Sequence, residues 1–440
     1  MRTWGLLLAS IVLGCSGSSD DGGSGTGDPD TGTGFDIDGG SSCPVGTETV
    51  LTGTVVSPAK SSPDPIYNAV VYVPVGDVEP FRKGVTCARC GTVEGAAKFK
   101  VAALTGFDGK FRLSGVPAGK DVPLVIQVGR WRRVVKIPEV KACQEQTIGQ
   151  ELTRLPRNHT EGEIPRTAIV SGRADPIECV LRKIGVEDSE FVGIGSDGLP
   201  TGEGRINFFK SLNGPDIGSG TVNGSSLYKR LDWMKQFDQI LLPCEGDPRT
   251  TDKPADALNN LVQYVNSGGR VLTTHFGFVW LRDSPDATWK GLASWTASTT
   301  SLPSLPATID QSFPKGKAMA EWLQLVGATK TKGSFDITDA RVDLAGSAKT
   351  PAQTWITSSS PASTQHFTFN TPIDKPAADQ CGKVIYSDFH VVGSDDFSLI
   401  YFPNECVDGP LTAQERVMEF MLFDLQSCVQ PETENPTPPK

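Results

Sequence analysis

From about residue 164 the chain alternates short, continuously apolar runs with stretches of helical period. After a polar start, residues 238–243 and 270–274 continue with apolar or β-branched side chains, which is typical of strands buried on both faces of a sheet. Between them, residues 254–266 repeat their apolar side chains at the spacing of one helix face. Such strands joined by helices predict a doubly wound α/β domain with a mostly parallel sheet, which we place at residues 158–430.

The preceding part, residues 43–157, has a different pattern, in which short strand-like runs are separated by turn residues. Residues 49–56, 69–73 and 122–128 are examples. Several short strands at this spacing predict an antiparallel β-sandwich, so the chain is expected to be multidomain. Where the α/β pattern begins, Asp175 is predicted to be the N-cap of a helix.

The charges and cysteines narrow the class of protein. A net charge of −10 over 440 residues argues against a nucleic-acid partner, which needs a basic surface. Ten cysteines indicate an oxidising compartment, because the cytosol keeps thiols reduced. The chain has no apolar run of about 18 residues, so no membrane-spanning helix is predicted. We expect a monomer, and the sequence indicates no cofactor.

The first 42 residues indicate where the protein resides. A basic start is followed by a small-or-apolar run and then by Cys15. This segment resembles the bacterial lipobox, in which a signal peptide, here residues 1–14, is removed and the cysteine, here Cys15, is acylated. Residues 15–42 are dominated by Gly, Ser, Asp and Thr and predict a disordered tether. Because Ser16 rather than Asp follows the cysteine, the resemblance implies the outer membrane or the cell surface; an ordinary signal peptide with an incidental cysteine is the alternative.

The predicted sandwich resembles a known module. Residues 53–55, 66–73, 105–113 and 116–119 are similar to the strand and turn motifs of the carboxypeptidase-regulatory-like domain. The resemblance implies a transthyretin-like sandwich, an accessory module of many surface proteins. The chain departs from that family by an insertion at residues 77–98.

The α/β part resembles a second family. Residues 237–243, 265–275 and 382–390 are similar to the class I glutamine amidotransferase-like fold, and within it to the trehalose-utilisation-type branch, in which two strands end in a His. Those residues are His275 and His390 here. An amidotransferase needs a Cys on a strand-to-helix elbow, a His and an orienting carboxylate. The elbow has His275 instead, and no His-x-Glu follows the last strand, so we expect the catalytic triad to be absent.

Polar side chains nevertheless follow neighbouring strands, at the sheet edge where open α/β sheets bind ligands. The candidate site residues are Cys244, Glu245, His275, Asp388 and His390. Two imidazoles with carboxylates could bind a metal or act as acid and base, whereas hydrogen-bonded structural histidines are the alternative. The nearby Trp280, Trp289 and Trp295 either stack on a sugar or pack within their own loop.

Nine cysteines remain after Cys15, so at least one is free or pairs outside the chain. Cys244 is the expected free thiol. In the loop motif Cys87-Ala88-Arg89-Cys90 a local disulfide is favoured over a redox site, a zinc site or pairing with other cysteines. The predicted pairs are Cys87–Cys90, Cys43–Cys143, Cys179–Cys428 and Cys381–Cys406.

Two further segments have simpler interpretations. Residues 130–133, Arg-Trp-Arg-Arg, are expected to form a solvated strand edge, with recognition of an anion as the alternative. The Pro-rich tail, residues 431–440, is predicted to be disordered.

These features favour a lipid-anchored envelope protein that acts as a non-catalytic binding or interaction protein, with a glycan or an envelope protein as partner. The alternative is a hydrolase or sugar-modifying enzyme that uses His275, His390 and a nearby carboxylate, with or without a metal. A redox protein that uses Cys87 and Cys90 is a third hypothesis.

Overall fold

The computed structural model describes residues 43–91, 98–211, 214–218, 221–296, 300–391 and 401–438. All of them belong to one compact unit that spans residues 37–440. The predicted signal peptide, the acylation site at Cys15 and the tether lie outside the described residues. Within the described ranges, no helix is both long and apolar enough to cross a membrane.

The N-terminal part forms two small sheets. Its elements are β1 (Val50–Thr54), β2 (Val70–Pro74), β3 (Phe99–Leu104), β4 (Lys110–Ser114), β5 (Gly119–Val128), β6 (Trp131–Val140), β7 (Glu145–Ile148) and α1 (Gln150–Thr153). Among the described strands, the orders are β4-β1-β7 and β3-β2-β5-β6, and every pair is antiparallel except β1 with β7. Side chains from both sheets share one hydrophobic cluster, as expected of a sandwich.

The remaining elements build a large mixed sheet with helices. They are β8 (Thr167–Ser171), α2 (Ile177–Lys183), β9 (Phe191–Gly193), β10 (Ile206–Lys210), α3 (Gly224–Tyr228), α4 (Leu231–Met234), β11 (Gln239–Leu242), α5 (Ala255–Asn266), β12 (Arg270–Thr274), α6 (Val279–Arg282), α7 (Ala287–Lys290), β13 (Leu302–Ile309), α8 (Pro314–Leu325), β14 (Ser334–Ala340), β15 (Gln353–Ser359), β16 (Ala362–Thr371), β17 (Gly382–Ser387) and α9 (Ala413–Gln426). The sheet formed by the described residues has ten strands in the order β14-β13-β15-β16-β17-β12-β11-β8-β10-β9.

Only part of this sheet matches the expected parallel arrangement. The run from β17 to β9 is parallel throughout, whereas β13 to β16 form an antiparallel extension on the other side of β17. The extension escaped sequence analysis because its strands are rich in Thr, Ser and Gln and lack the continuous apolar character of β11 or β12. Residues 224–234, between β10 and β11, form the two short helices α3 and α4.

Local chemistry explains where the helices nearest the site begin and end. Helix α9 starts with a capping box, in which the Thr412 hydroxyl accepts from the Glu415 amide and the Glu415 carboxylate accepts from the Thr412 amide. Helix α5 ends before Gly268, whose φ of +112° suits glycine. At Gly269 an added Cβ would lie 2.4 Å from the Tyr264 ring, so the chain turns into β12 only with glycine there.

The arginines at the start of β6 correct the expectation of a solvated edge. Arg130 is buried and pairs with Asp238, which precedes β11, and Arg132 is buried and pairs with Glu163. Both guanidiniums therefore link the sandwich to the α/β part. Because each is paired with a carboxylate of the protein, the structure does not favour the alternative that they recognise an anion.

The tail also differs from its prediction. Residues 431–438 are described, and Glu432 is buried, with its carboxylate 2.8 Å from the Lys315 Nζ and 3.0 Å from the Lys383 Nζ. The Pro-rich composition suggested disorder, but one charged side chain and the disulfide just before it attach the segment to the sheet.

The disulfide predictions are mostly wrong. Cys43–Cys143 is confirmed, and Cys244 is confirmed as a free cysteine within the described residues. The other three bridges are Cys87–Cys381, Cys90–Cys428 and Cys179–Cys406. The Cys-x-x-Cys loop therefore does not close on itself, and the redox hypothesis for Cys87 and Cys90 fails, because each cysteine fastens the insertion to a different point of the α/β part.

Candidate functional site

Three polar side chains converge at the carboxyl ends of adjacent parallel strands. Cys244 follows β11, His275 follows β12, and His390 follows β17 after two more residues. The Cys244 Sγ lies 3.3 Å from the His275 Nδ1, and the His390 Nε2 lies 3.0 Å from the same His275 nitrogen. Their side chains are nearly inaccessible, with 0%, 2% and 6% of each residue exposed. Sequence analysis had placed all three in the candidate site, and the structure brings them together.

The turn after β12 sets the direction of the His275 ring. His275 has a φ of +37°, in the left-handed region that non-glycine residues seldom adopt. Two residues later, a Cβ on Gly277 would lie 1.9 Å from the Thr273 Oγ1, so the tight turn requires glycine at that position. The turn directs the His275 imidazole toward the thiol that follows the neighbouring strand.

A carboxylate stands behind each imidazole. The Asp343 Oδ2 lies 3.0 Å from the His275 Nε2, and the Asp339 Oδ2 lies 3.8 Å from the His390 Nδ1. Both aspartates come from β14 or the loop after it, in the antiparallel extension. Neither aspartate is predicted from the sequence, because the only signal there is a pair of acidic residues in a segment without a continuous apolar run.

One buried carboxylate connects the three segments that carry the site. The Thr274 hydroxyl accepts from the Cys244 amide at 2.9 Å and donates to the Asp175 Oδ2, while the Asp175 Oδ1 accepts from the Val391 amide at 2.8 Å. Asp175 was predicted to cap α2, but that helix has no side-chain cap, and the carboxylate faces the site instead.

The electrostatics of the cluster favour a charged thiolate with charged imidazoles. Burial alone would raise the pKa of the Cys244 thiol, but hydrogen bonds with both imidazoles outweigh it and lower the pKa to about 6. Burial opposes protonation of His390, yet Asp339 and then the thiolate raise its pKa to about 10. Burial also lowers the pKa of the His275 imidazole, but the effects of Asp343 and the thiolate are larger. The pKa of His275 is therefore raised as well.

Two predicted site residues do not face the cluster. Asp388 accepts from the Tyr386 hydroxyl and from the Asp343 amide, both at 2.8 Å, and burial raises its pKa well above the usual value. It supports Asp343 and does not contact the thiol. Glu245 is paired at 2.8 Å with the buried Lys253.

The tryptophans following His275 pack within the protein. Trp280 and Trp289 are buried, and Trp295 lies against the ring of Tyr386 at 5.1 Å between centroids. In the described part of this loop the aromatic side chains form core contacts, which corresponds to the packing alternative.

The donor set fits a metal ion of the zinc class. The Cys244 Sγ and one ring nitrogen each of His275 and His390 lie within 4.8 Å of one another. Around a tetrahedral zinc ion, two ligand nitrogens would be about 3.3 Å apart and a nitrogen and a sulfur about 3.6 Å apart. The measured separations of 3.0 and 3.3 Å are shorter by only a few tenths of an ångström. Metal-bound histidines usually have a carboxylate or carbonyl at the other ring nitrogen, as His275 and His390 have here.

Comparison with known proteins adds a distant likeness in fold. One solved structure, described as a ThuA-like protein from Bacteroides uniformis, is 12% identical, with a TM-score of 0.31, over 59% of this chain and 90% of its own. A cytoplasmic protein from Salmonella typhimurium is also 12% identical, with a TM-score of 0.31, over 61% of this chain and 100% of its own. No protein-family model and no curated protein matches the chain. At this identity and TM-score, the likeness assigns neither an activity nor a ligand.

Proposed function

We propose that this protein is a cell-envelope lipoprotein whose α/β part holds a zinc-class metal ion on Cys244, His275 and His390 and serves as a metal-dependent hydrolytic centre. One observation carries the proposal: three donor atoms converge from adjacent strand ends, and a carboxylate stands behind each imidazole. The lipobox-like segment ending at Cys15 supports the location.

A metal explains the arrangement better than acid–base chemistry alone. The His275 Nδ1 lies 3.3 Å from the Cys244 Sγ and 3.0 Å from the His390 Nε2, so with both imidazoles protonated two N–H groups would point at each other. A cation that displaces these protons would instead accept one lone pair from each of the three donors. With three protein ligands, a tetrahedral ion keeps one position for water or substrate, which is the pattern of catalytic zinc sites. Such an ion would lower the pKa of its bound water and polarise a substrate oxygen.

The protein's own residues would fix the ligands. Asp343 and Asp339 hold the imidazoles with one nitrogen facing the thiol, and burial keeps bulk water away from the three donors. Binding of the ion would itself displace the Cys244 proton and hold the sulfur as a thiolate.

A non-catalytic binding protein is the second candidate function, and the burial of the three donor side chains favours it. All three donors are nearly inaccessible, so a substrate would reach them poorly in this conformation. In this case the metal would stabilise the fold, and the partner would be a glycan or another envelope protein that binds the outer surface.

Metal content is the decisive measurement. We expect the full-length chain to contain zinc in stoichiometric amount, and Co²⁺ exchanged into it to give the intense absorption of a cobalt–thiolate bond. Cys244→Ser should abolish that absorption, and His275→Ala and His390→Ala should each remove the metal, whereas His159→Ala, at a partly exposed histidine outside the cluster, should change nothing. A wild-type chain that contains no metal and takes up none would refute the proposal.

A second assay separates the two candidate roles. Hydrolysis of ester, amide or glycoside substrates that is lost in His390→Ala, in a variant that still folds, would support the hydrolytic centre. A metal-loaded protein without such activity, whose melting temperature rises with a glycan, would favour the binding protein.

A further inference from the structure

One disulfide that shares no residue with the Cys244 cluster is accompanied by two acidic residues. Each cysteine of the Cys179–Cys406 bridge directly follows a glutamate, Glu178 on α2 and Glu405 in the segment after residue 401. Both glutamates are buried, with 0% and 5% of their surface exposed.

Neither carboxyl group is satisfied. Within the described part of the chain, no other residue donates a hydrogen bond to the Oε1 or Oε2 of Glu178 or Glu405. A buried polar group without a hydrogen-bond partner lowers the stability of the fold by about 1–3 kcal/mol. In native proteins such a group is usually explained by a bound water, a bound ion or a functional role. Two such carboxyl groups lie beside the same disulfide, where a cation would satisfy them.

The positions of the atoms show what that partner would be. A carboxylate oxygen of Glu405 and the sulfurs of Cys179 and Cys406 all lie within 4.8 Å of one another. Ligands of a tetrahedral zinc ion are separated by about 3.3–3.8 Å, so only a small adjustment would be needed. While the sulfurs are bonded to each other, however, they cannot act as thiolate ligands.

We propose that reduction of the Cys179–Cys406 disulfide opens a second binding site for a zinc-class ion, with Cys179, Cys406 and Glu405 as ligands and the buried carboxyl group of Glu178 beside them. The site shares no ligand with the Cys244 cluster, so it does not depend on the function proposed above. Metal binding here would report the redox state of the surroundings, since the same two sulfurs either bond to each other or bind the ion.

The chemistry balances with a dithiol as reductant. The dithiol gives two electrons and two protons and becomes a cyclic disulfide, while the Cys179–Cys406 bond breaks to two thiols. Zinc then binds the two sulfurs and the Glu405 carboxylate, and the protons of both thiols pass to solvent. Cys406 is only partly buried, which gives the reductant a sulfur to attack.

The test uses the full-length chain with Cys244→Ala and His275→Ala, which removes the first site. Zinc content and Co²⁺ absorption are measured with and without prior treatment with a dithiol, after the reductant has been removed anaerobically. We expect the reduced protein to gain a stoichiometric amount of zinc that the oxidised protein does not bind. Adding Cys179→Ser with Cys406→Ser should abolish the gain, whereas Cys43→Ser with Cys143→Ser should leave it unchanged.

The glutamates separate a built site from loose thiols. Glu405→Gln keeps every thiol and the shape of the side chain, yet it should weaken zinc binding by at least roughly tenfold; Glu178→Gln should weaken it too. Circular dichroism of the oxidised variants checks their folding. The proposal is overturned if reduction brings no extra zinc, if the gain persists without Cys179 and Cys406, if both glutamine variants bind as tightly as their parent, or if the reduced chain unfolds despite saturating zinc.

Discussion

Thr274 shows how a single hydroxyl can hold a site together. It accepts from the Cys244 amide and donates to the Asp175 carboxylate, which in turn accepts from the amide of Val391, next to His390. The residues that bring the donors together are therefore not the donors themselves. Asp175 is fully buried, and burial raises its pKa, which hydrogen bonds from Thr274 and Val391 partly counter.

We predict that Thr274→Val lowers the free energy of unfolding by about 1–3 kcal/mol, because the Cys244 amide and one Asp175 oxygen lose their partner in the core. Thr274→Ser, which retains the hydroxyl, should recover most of this loss. Urea unfolding of the three proteins provides the measurement. Equal stability of the valine variant and the wild type would show that water or another group replaces the hydroxyl.

His366 on β16 carries a different prediction. It is fully buried between Trp355 and Phe389, and no described residue hydrogen-bonds to either ring nitrogen. Burial lowers its pKa to about 3, with a small opposing effect from Asp424. An unfolded histidine titrates near 6.5, so between these two values the unfolded chain binds one more proton, and stability falls as the pH drops below about 6.5.

Replacing His366 with leucine should therefore flatten the acid side of the stability profile. Between pH 7 and pH 5 the wild type is expected to lose about 2 kcal/mol more than His366→Leu, because each pKa unit corresponds to about 1.4 kcal/mol. Unfolding in urea at several pH values gives the two slopes. His366→Gln, polar but not titratable, should follow the leucine slope; parallel slopes for wild type and leucine variant would mean that the ring is protonated in the folded protein.

These residues also show what the sequence could and could not reveal. Cys244, His275 and His390 were found because each follows a strand whose apolar run is visible in the sequence. Asp339 and Asp343 were missed because their position depends on pairing between distant polar strands. Asp175 was expected to cap helix α2 because it lies just before that helix. Its carboxylate instead accepts a hydrogen bond from Thr274, which is distant in the sequence.

At the scale of elements, α9 is the centre of the packing between sandwich and sheet. Phe420 stacks on Tyr67 with ring centroids 5.7 Å apart, and Phe423 meets Trp131 edge-on at 5.8 Å. The helix itself was predictable from its capping box and apolar residues. That it is buried all round was not, since its sequence contains Glu419 and Asp424, both buried.

Asp424 belongs to a buried ring of alternating charges that attaches the C-terminal tail. Its carboxylate is 2.8 Å from the Lys315 Nζ and 2.9 Å from the Lys383 Nζ, and Glu432 contacts both lysines on the other side. Burial would raise the pKa of Asp424, but the two lysines hold it well below its usual range. Two negative and two positive groups thus balance within a region that excludes water.

We predict that Glu432→Gln destabilises the protein by about 3–5 kcal/mol, because two buried ammonium groups are left with a single carboxylate. Glu434→Gln, at an exposed position two residues later, should change stability by no more than about 0.5 kcal/mol. Thermal or urea unfolding compares them. If both variants behaved alike, the tail would contribute nothing to the folded core.

At the scale of the whole molecule, the sandwich and the α/β part belong to one compact unit, although their sequences differ in pattern. Two disulfides join the insertion near Cys87 and Cys90 to Cys381 and Cys428. The Trp322 indole donates to the Pro65 carbonyl at 2.6 Å. Composition and period revealed two patterns along the chain, but the contacts that join them arise only in three dimensions.

We therefore expect the full-length chain to unfold in one cooperative transition and residues 158–440 alone to be unstable. Without the sandwich, the aromatic face of α9 would meet water, Asp238 would lose Arg130, and Cys381 and Cys428 would become unpaired thiols. Loss of each long-loop disulfide alone typically costs about 2–5 kcal/mol, comparable with the whole stability of many domains. Circular dichroism and size-exclusion chromatography of both proteins test this. A fragment 158–440 that is monomeric and melts at the temperature of the full chain would instead show that the α/β part folds by itself, and that the two extra bridges only tether the sandwich to it.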